Sequence, residues 1–287
     1  MGGTHRRYPA SVTERSEITT GATQAAYPNL RVTRTDQGVV TLLLDHPERR
    51  NAMGEAMTES WVSVIADLRV DRSVRAVVVT GAGDAFCSGG DTAWLSGLPD
   101  QSVNGLRDRM LAFYRAWLSI RELEVPTITA VNGAAVGAGL CLALATDLCY
   151  AADEAKLTAP FTRLGMHSGM AATWLLPQAG GIGLAREMLL TGRVVTGAQA
   201  AAAGLVNRSF PRAALLDEVA RIAGAVADCA PIATRLTKVA LASGGHASFD
   251  AAVQWEALAQ PVTLATEDLR EGLTAARERR APAFRGR

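Results

Sequence analysis

The sequence predicts an α/β protein, with parallel strands joined by right-handed helical crossovers in its first two thirds and a helical region after them. Three observations carry this. Strand-like and helix-like segments alternate between residues 30 and 147, the apolar strand runs end in glycine-rich turns, and beyond Pro177 the chain becomes alanine-rich with helical spacing.

Residues 30–35 and 39–44 are short aliphatic or β-branched runs separated by Asp36-Gln37-Gly38, a hairpin signal that opens the domain with two strands. Residues 53–68 place Met57, Trp61, Val64, Ile65 and Leu68 at helical spacing, and the apolar run 74–80 ends at Gly81, giving helix then strand. The pattern recurs as a helix over 106–123, a strand over 127–131 after Pro126, and a small-residue helix over 138–147. Helical segments follow at 184–190, 198–203, 215–227, 233–242 and 249–277. No repeat at solenoid period is visible, and the alanine patch at 198–203 reads as helix propensity with tight packing.

Composition excludes several classes of function. The 287 residues are 48% hydrophobic, enough for one large domain with a sizeable core. Lys and Arg number 29 against 28 Asp and Glu, so no global basic excess points to nucleic acid or an anionic membrane. The apolar stretch 134–145 is short of the roughly 18 residues a membrane span needs. Cys87, Cys141, Cys149 and Cys229 show no C-x-x-C pairing, which disfavours zinc or a disulfide framework and suits a reducing cytoplasm. The polar residues 1–28, whose Arg6-Arg7 pair is followed by no apolar stretch, read as a disordered tail rather than a signal.

Chemistry is suggested by two glycine-rich turns. Gly81 to Asp91 follows a buried strand, and Asn132 to Gly139 runs from a strand into a helix start. Backbone N–H groups in such turns have no intrahelical partner and suit an anion or oxyanion, although tight strand-to-helix turns with small residues for packing would look the same. A dinucleotide fingerprint fails because Phe86 stands where its third glycine belongs. A nucleophile elbow fails at Ser88, preceded by Phe86, and at Ser168, preceded by Met166.

Leu44-Asp45-His46-Pro47-Glu48-Arg49-Arg50-Asn51-Ala52, the 85–91 turn, and Ala130-Val131-Asn132-Gly133 through Gly139 occur in an order and spacing that resembles the crotonase superfamily, the enoyl-CoA hydratase/isomerase family. Leu190-Thr191-Gly192-Arg193, Ala203-Gly204-Leu205-Val206, Glu271-Gly272 and Pro282-Ala283-Phe284 extend the resemblance over about residues 30 to 287. It implies a crotonase-type ββα spiral core over 29–204 and a C-terminal helical region, 205–287, that forms a homotrimer or hexamer through residues such as Trp255, Leu258, Val262, Leu264, Leu269 and Leu273. The implied ligand is an acyl-CoA thioester whose carbonyl oxygen is held by the backbone N–H groups of Gly90 and Ala138, a preorganised oxyanion hole. Arg49 and Arg50 stand where the family places cations near the CoA phosphates, backbone groups around Ser88 would meet the adenine, and Arg279 and Arg280 are similar candidates from a neighbouring subunit. Coenzyme A is part of the substrate, and no further cofactor or metal is expected.

The resemblance breaks at the hydration chemistry. By register, the two glutamates that hold water in enoyl-CoA hydratases of this fold are replaced by Cys141 and Phe161. Acid–base assistance is worth about 10²–10⁴ in rate, so the expectation is an acyl-CoA lyase or isomerase with an altered acid or base, such as an isomerase or decarboxylase, or else an acyl-CoA-binding protein without turnover. Replacements to weigh are His167, as readily a loop-orienting hydrogen bonder, and Cys141, as readily a packing residue. Asp91 reads as a helix cap and Asp147 as structural, and His5 and His246 have no chemical context.

Overall fold

The structure, a computed structural model, describes residues 27–91, 102–242 and 248–287. Most of the expected tail, together with His5 and His246, lies outside these residues. The last two tail residues are docked: the Tyr27 hydroxyl donates to Asp67 at 2.6 Å and the Pro28 carbonyl accepts from Ser60 at 2.8 Å.

β1 (Leu30–Arg34) and β2 (Val39–Leu44) form the expected antiparallel hairpin. β3 (Ala76–Gly81) pairs parallel to β2, β5 (Thr127–Val131) parallel to β3, β7 (Leu148–Ala152) parallel to β5, and β10 (Arg208–Phe210) parallel to β7. A second small sheet has the order β4 (Ala85–Cys87), β6 (Ala134–Val136), β8 (Lys156–Thr158), β9 (Val194–Thr196). Its short strands escape the sequence reading because three residues are too few to show a period of two. The glycine-rich segments are therefore not simple strand-to-helix turns: β4 and β6 interrupt them and lie side by side as parallel neighbours.

The helices are α1 (Glu55–Val70), α2 (Val103–Leu118), α3 (Ala138–Leu144), α4 (Ala172–Thr191), α5 (Gly197–Ala202), α6 (Arg212–Ala227), α7 (Pro231–Ala242), α8 (Phe249–Leu264) and α9 (Glu267–Glu278). α1 buries Met57, Trp61, Val64, Ile65 and Leu68, the stripe its spacing foretold. Trp61 stacks on Trp117 of α2 with ring centroids 4.9 Å apart. α4 starts earlier than expected and carries a break at Gly181, where φ is +74°. The expected helix over 249–277 is two, because the Thr266 side chain accepts from the Leu269 N–H and caps a new start.

The boundary expected after Gly204 moves. β10 completes the large sheet and α6 lays Leu215, Val219 and Ala223 into the same core cluster, so the core runs to Ala227. Beyond it α8 buries no residue and exposes Phe249, Leu258, Val262 and Leu264. No helix among the described residues is long and apolar enough to cross a membrane.

The segment after β3 is fixed by two buried amides. Asn51, fully buried with φ at +54°, accepts the His46 N–H and donates through Nδ2 to the carbonyls of Ala82 and Ala85, each at 2.9 Å. Asn132 accepts the Gly81 N–H at 3.1 Å and donates to the Gly83 carbonyl at 3.1 Å. Backbone groups in so sharp a turn have no ladder partner, and the two side chains supply it. Replacing Asn51 by Ala strands these groups and is expected to cost about 3 kcal/mol of stability, read by urea denaturation. A loss under about 0.5 kcal/mol would mean that water replaces the amide.

Candidate active site

Gly90 and Ala138 lie close together. Both line one cavity of about 130 Å³, with Phe113, Tyr114, Phe161, Met166, His167 and Met170 among its other walls. The first turn is pinned to α1's approach by the Met53 N–H donating to the Gly89 carbonyl at 2.8 Å. It is pressed against the second so closely that side chains are excluded. A Cβ on Gly89, where φ is +90°, would meet the Val136 carbonyl oxygen at 2.7 Å and the Ala138 nitrogen at 3.3 Å. One on Gly139 would meet the Cys87 carbonyl oxygen at 2.3 Å.

Neither the Gly90 nor the Ala138 N–H has a hydrogen-bond acceptor among the described residues. Ala138 is the first residue of α3, where a helical N–H lacks an intrahelical partner, whereas Gly137 before it donates to the Thr158 carbonyl at 2.9 Å. Two unpaired donors on one wall of a mostly apolar cavity favour a ligand oxygen that carries or develops negative charge.

Around these donors the walls are poor in charge. No Asp or Glu is among the cavity's lining residues in the described structure. Phe161 is half-buried, and its ring lies 3.6 Å from where a Cβ on Gly137 would sit, so it faces the second turn. Cys141 stands one layer behind. It is fully buried, its Sγ is 3.8 Å from the Gly169 carbonyl oxygen, and burial pushes its thiol up to about 12. That placement agrees with a packing role, and burial disfavours the thiolate. His167 does reach the cavity, but its imidazole is exposed and Nδ1 lies 2.7 Å from the Ser168 carbonyl oxygen, the loop-orienting contact.

Tyr114 is a cavity residue that the sequence reading missed. α2 presents its half-buried phenol beside Gly169, where a Cβ would lie 2.4 Å from the hydroxyl oxygen. Burial pushes the phenol pKa up, the neighbouring Cys141 adds to the rise, and the Met170 N–H donating to the oxygen opposes it. The phenol is thus a neutral group on the cavity wall beside Gly169 and Met170. Its helical spacing with Met110 and Trp117 was the available signal, and it reads as core.

The outer candidates are placed with less in common. Arg49 and Arg50 are exposed, and Arg49 lies 3.8 Å from Asp91. Residues 92–101, where Asp91 was expected to cap a helix, lie outside the described residues. The Ser88 N–H is already spent on the Arg50 carbonyl at 3.0 Å, so an adenine contact there would have to use other groups. Arg280 is held bidentately by Glu271 at 2.6 and 2.9 Å, and Arg279 is the left-handed residue that ends α9. Asp147 is structural: it accepts from the Thr127 N–H and pairs with the buried Lys238 at 2.8 Å. Among the described residues no three His, Cys, Asp or Glu side chains gather as metal ligands.

The sequence profile of the enoyl-CoA hydratase/isomerase family matches residues 34–287. A crotonyl-CoA hydratase of Syntrophomonas wolfei is 32% identical over 260 residues, covering 90% of this chain and 98% of that protein. The human enoyl-CoA hydratase domain-containing protein 2, mitochondrial, is 34% identical over 257 residues, 88% of this chain and 87% of its own length. The crystal structure of an enoyl-CoA hydratase from Bacillus anthracis superposes with a TM-score of 0.85 at 31% identity, covering 90% of this chain and all of that one.

The cysteines give a direct check on the burial described. Cys87, Cys141 and Cys149 are each pushed up to about 12 by burial, whereas Cys229 is exposed. A disulfide reagent at pH 8 is expected to titrate one thiol promptly and the other three only with denaturant. Because the folded thiols titrate above their ordinary 9.0, the stability from keeping them neutral is full below pH 9 and is lost as pH rises toward 12. Prompt reaction of a second thiol would contradict the burial of Cys87, Cys141 and Cys149.

Proposed function

Because the chain belongs to the enoyl-CoA hydratase/isomerase family, we propose that it binds an acyl-CoA thioester and stabilises its enolate oxyanion with the N–H groups of Gly90 and Ala138. The observation that carries this is the pair of unpaired donors on one cavity wall. They are strongest as the carbonyl oxygen gains charge, and losing one such donor typically costs about 10²–10³ in rate. Arg49 and Arg50, exposed beside the first turn, are the cations within this chain that the CoA phosphates would meet.

Hydration by a glutamate pair is not part of the proposal. Cys141 and Phe161 take the two glutamate positions in this reading, and the absence of carboxylates from the described lining supports it. Phe161 keeps the cavity drier than an acid would, and Tyr114, as a neutral donor, is the side chain best placed to carry a proton. That chemistry fits an isomerase or another lyase of the family. The same lack of a carboxylate favours, as a second reading, an acyl-CoA-binding protein without turnover. The exposed apolar face of α8 supports assembly as a trimer or hexamer, and the three buried free thiols suit a reducing compartment such as the cytoplasm.

The test is hydration of short trans-2-enoyl-CoA esters, followed as loss of the conjugated thioester absorbance, together with butyryl-CoA binding. Saturable binding weakened in Gly90→Pro, with hydration slow or absent, is expected. Fast hydration abolished by Gly90→Pro would restore the hydratase reading, with Tyr114 or His167 driving the water. Binding unaffected by Gly90→Pro would remove the oxyanion hole.

A further inference from the structure

The C-terminal ends of β2 and β3 lead toward the acyl-CoA cavity, while the residues just before their N-terminal ends, Gly38 and Arg75, line a second cleft, of about 820 Å³, which the proposed reaction does not use. β3 alone is six residues long, so roughly 20 Å of strand separates the two. Arginines dominate the cleft: Arg34, Arg72, Arg75, Arg235 and Arg285 all line it. Arg34 is paired with Asp71 at 2.8 Å and Arg72 with Glu124 at 3.2 Å. The other three have no carboxylate within 4.0 Å among the described residues, although Asp36 and Asp228 also stand on the cleft wall.

Two of those three guanidiniums are part of the wall itself. Arg75 Nη2 donates to the Phe284 carbonyl at 2.9 Å, and Arg235 Nη2 donates to the carbonyls of Arg72 at 3.2 Å and Val74 at 3.3 Å. Yet Arg75 Nη1 and Arg235 Nε are buried with no acceptor, an unfavourable state for an ionised donor. Burial, then the nearby Arg72 and Arg75, press Arg235 below the ordinary guanidinium range, with Glu124 and Asp71 offsetting part of this. The positive end of α7 adds to the field. Its first residue, Pro231, lines the cleft, no acid stands in its first turn, and its leading N–H groups lack intrahelical acceptors.

We propose that this cleft binds a phosphate group, held by Arg75, Arg235 and Arg285 beside the start of α7. Guanidinium forks match phosphate oxygens bidentately, and the anion would add to the partial compensation that Glu124 and Asp71 give Arg235 and Glu271 gives Arg285, none of them in direct contact. The walls come from distant parts of the chain, with Gly38 and residues 72–75 on one side and 282–286 on the other. A bound phosphate therefore ties the C-terminal segment to the N-terminal edge of the sheet.

The test is calorimetric titration of the full chain with inorganic phosphate, and its melting temperature in phosphate against chloride at equal ionic strength. Saturable binding and a rise in Tm are expected, with affinity at least tenfold lower in Arg285→Gln. Arg285 is exposed and its side chain makes no hydrogen bond among the described residues, so this variant decides the matter even if Arg235→Gln fails to fold. Adenosine 3′,5′-bisphosphate binding at least tenfold tighter than phosphate, with the same dependence on Arg285, would make the group part of a nucleotide; equal or weaker binding would make it a free anion. A Tm rise matched by chloride, or phosphate binding lost in Arg49→Gln but intact in Arg285→Gln, would overturn the proposal.

Discussion

The site depends on one buried amide group. Asn51 sits in a left-handed turn between β2 and α1, and its side chain reaches two loops at once, taking the His46 N–H and giving its own N–H groups to the carbonyls of Ala82 and Ala85. A short polar side chain tolerates that backbone conformation and carries both donor and acceptor, which is why an apolar residue of similar size cannot replace it. Asn132 secures the same loop from the other side. With both ends of the 81–87 segment fixed, β4 can lie against β6, and Gly89 and Gly139 can bring the first and second turns within van der Waals distance.

That juxtaposition decides what the cavity can do. Donors supplied by the backbone keep their position whatever side chains surround them, so the walls are free to vary without moving the two N–H groups. In this chain the described walls include an aromatic ring at Phe161 and a half-buried phenol at Tyr114, with the buried Cys141 thiol one layer behind. A mostly apolar pocket strengthens any hydrogen bond that its two unpaired donors make to a charged oxygen. The related hydratases share the fold, and the difference in chemistry proposed for this chain rests on a few wall positions.

Much of this was legible in the sequence. The hairpin at Asp36-Gln37-Gly38, the buried stripe of α1 and the alternation through Val131 follow from periodicity and turn residues, whereas only the family resemblance singles out Gly90 and Ala138. What escaped did so for physical reasons. Three-residue strands such as β4, β8 and β9 carry no period, and their pairing is dictated by partners far along the chain. The core's extension to Ala227 depends on β10 being captured by β7, which only the assembled sheet reveals. Tyr114 lies on a helix whose spacing reads as ordinary packing, and its meaning comes from Gly169, 55 positions later. The unpaired arginines are likewise invisible in a chain with balanced charge, since Arg75, Arg235 and Arg285 converge only through folding.

The most direct measurement of the central claim is the infrared carbonyl stretch of an acyl-CoA labelled isotopically at its thioester carbon, recorded free and bound. If Gly90 and Ala138 both donate to that oxygen, the band moves to lower frequency on binding, and the shift shrinks in Gly90→Pro under conditions of full occupancy. A band at the same frequency in the free and bound states, with the ligand saturating, would contradict the oxyanion hole and with it the enolate chemistry.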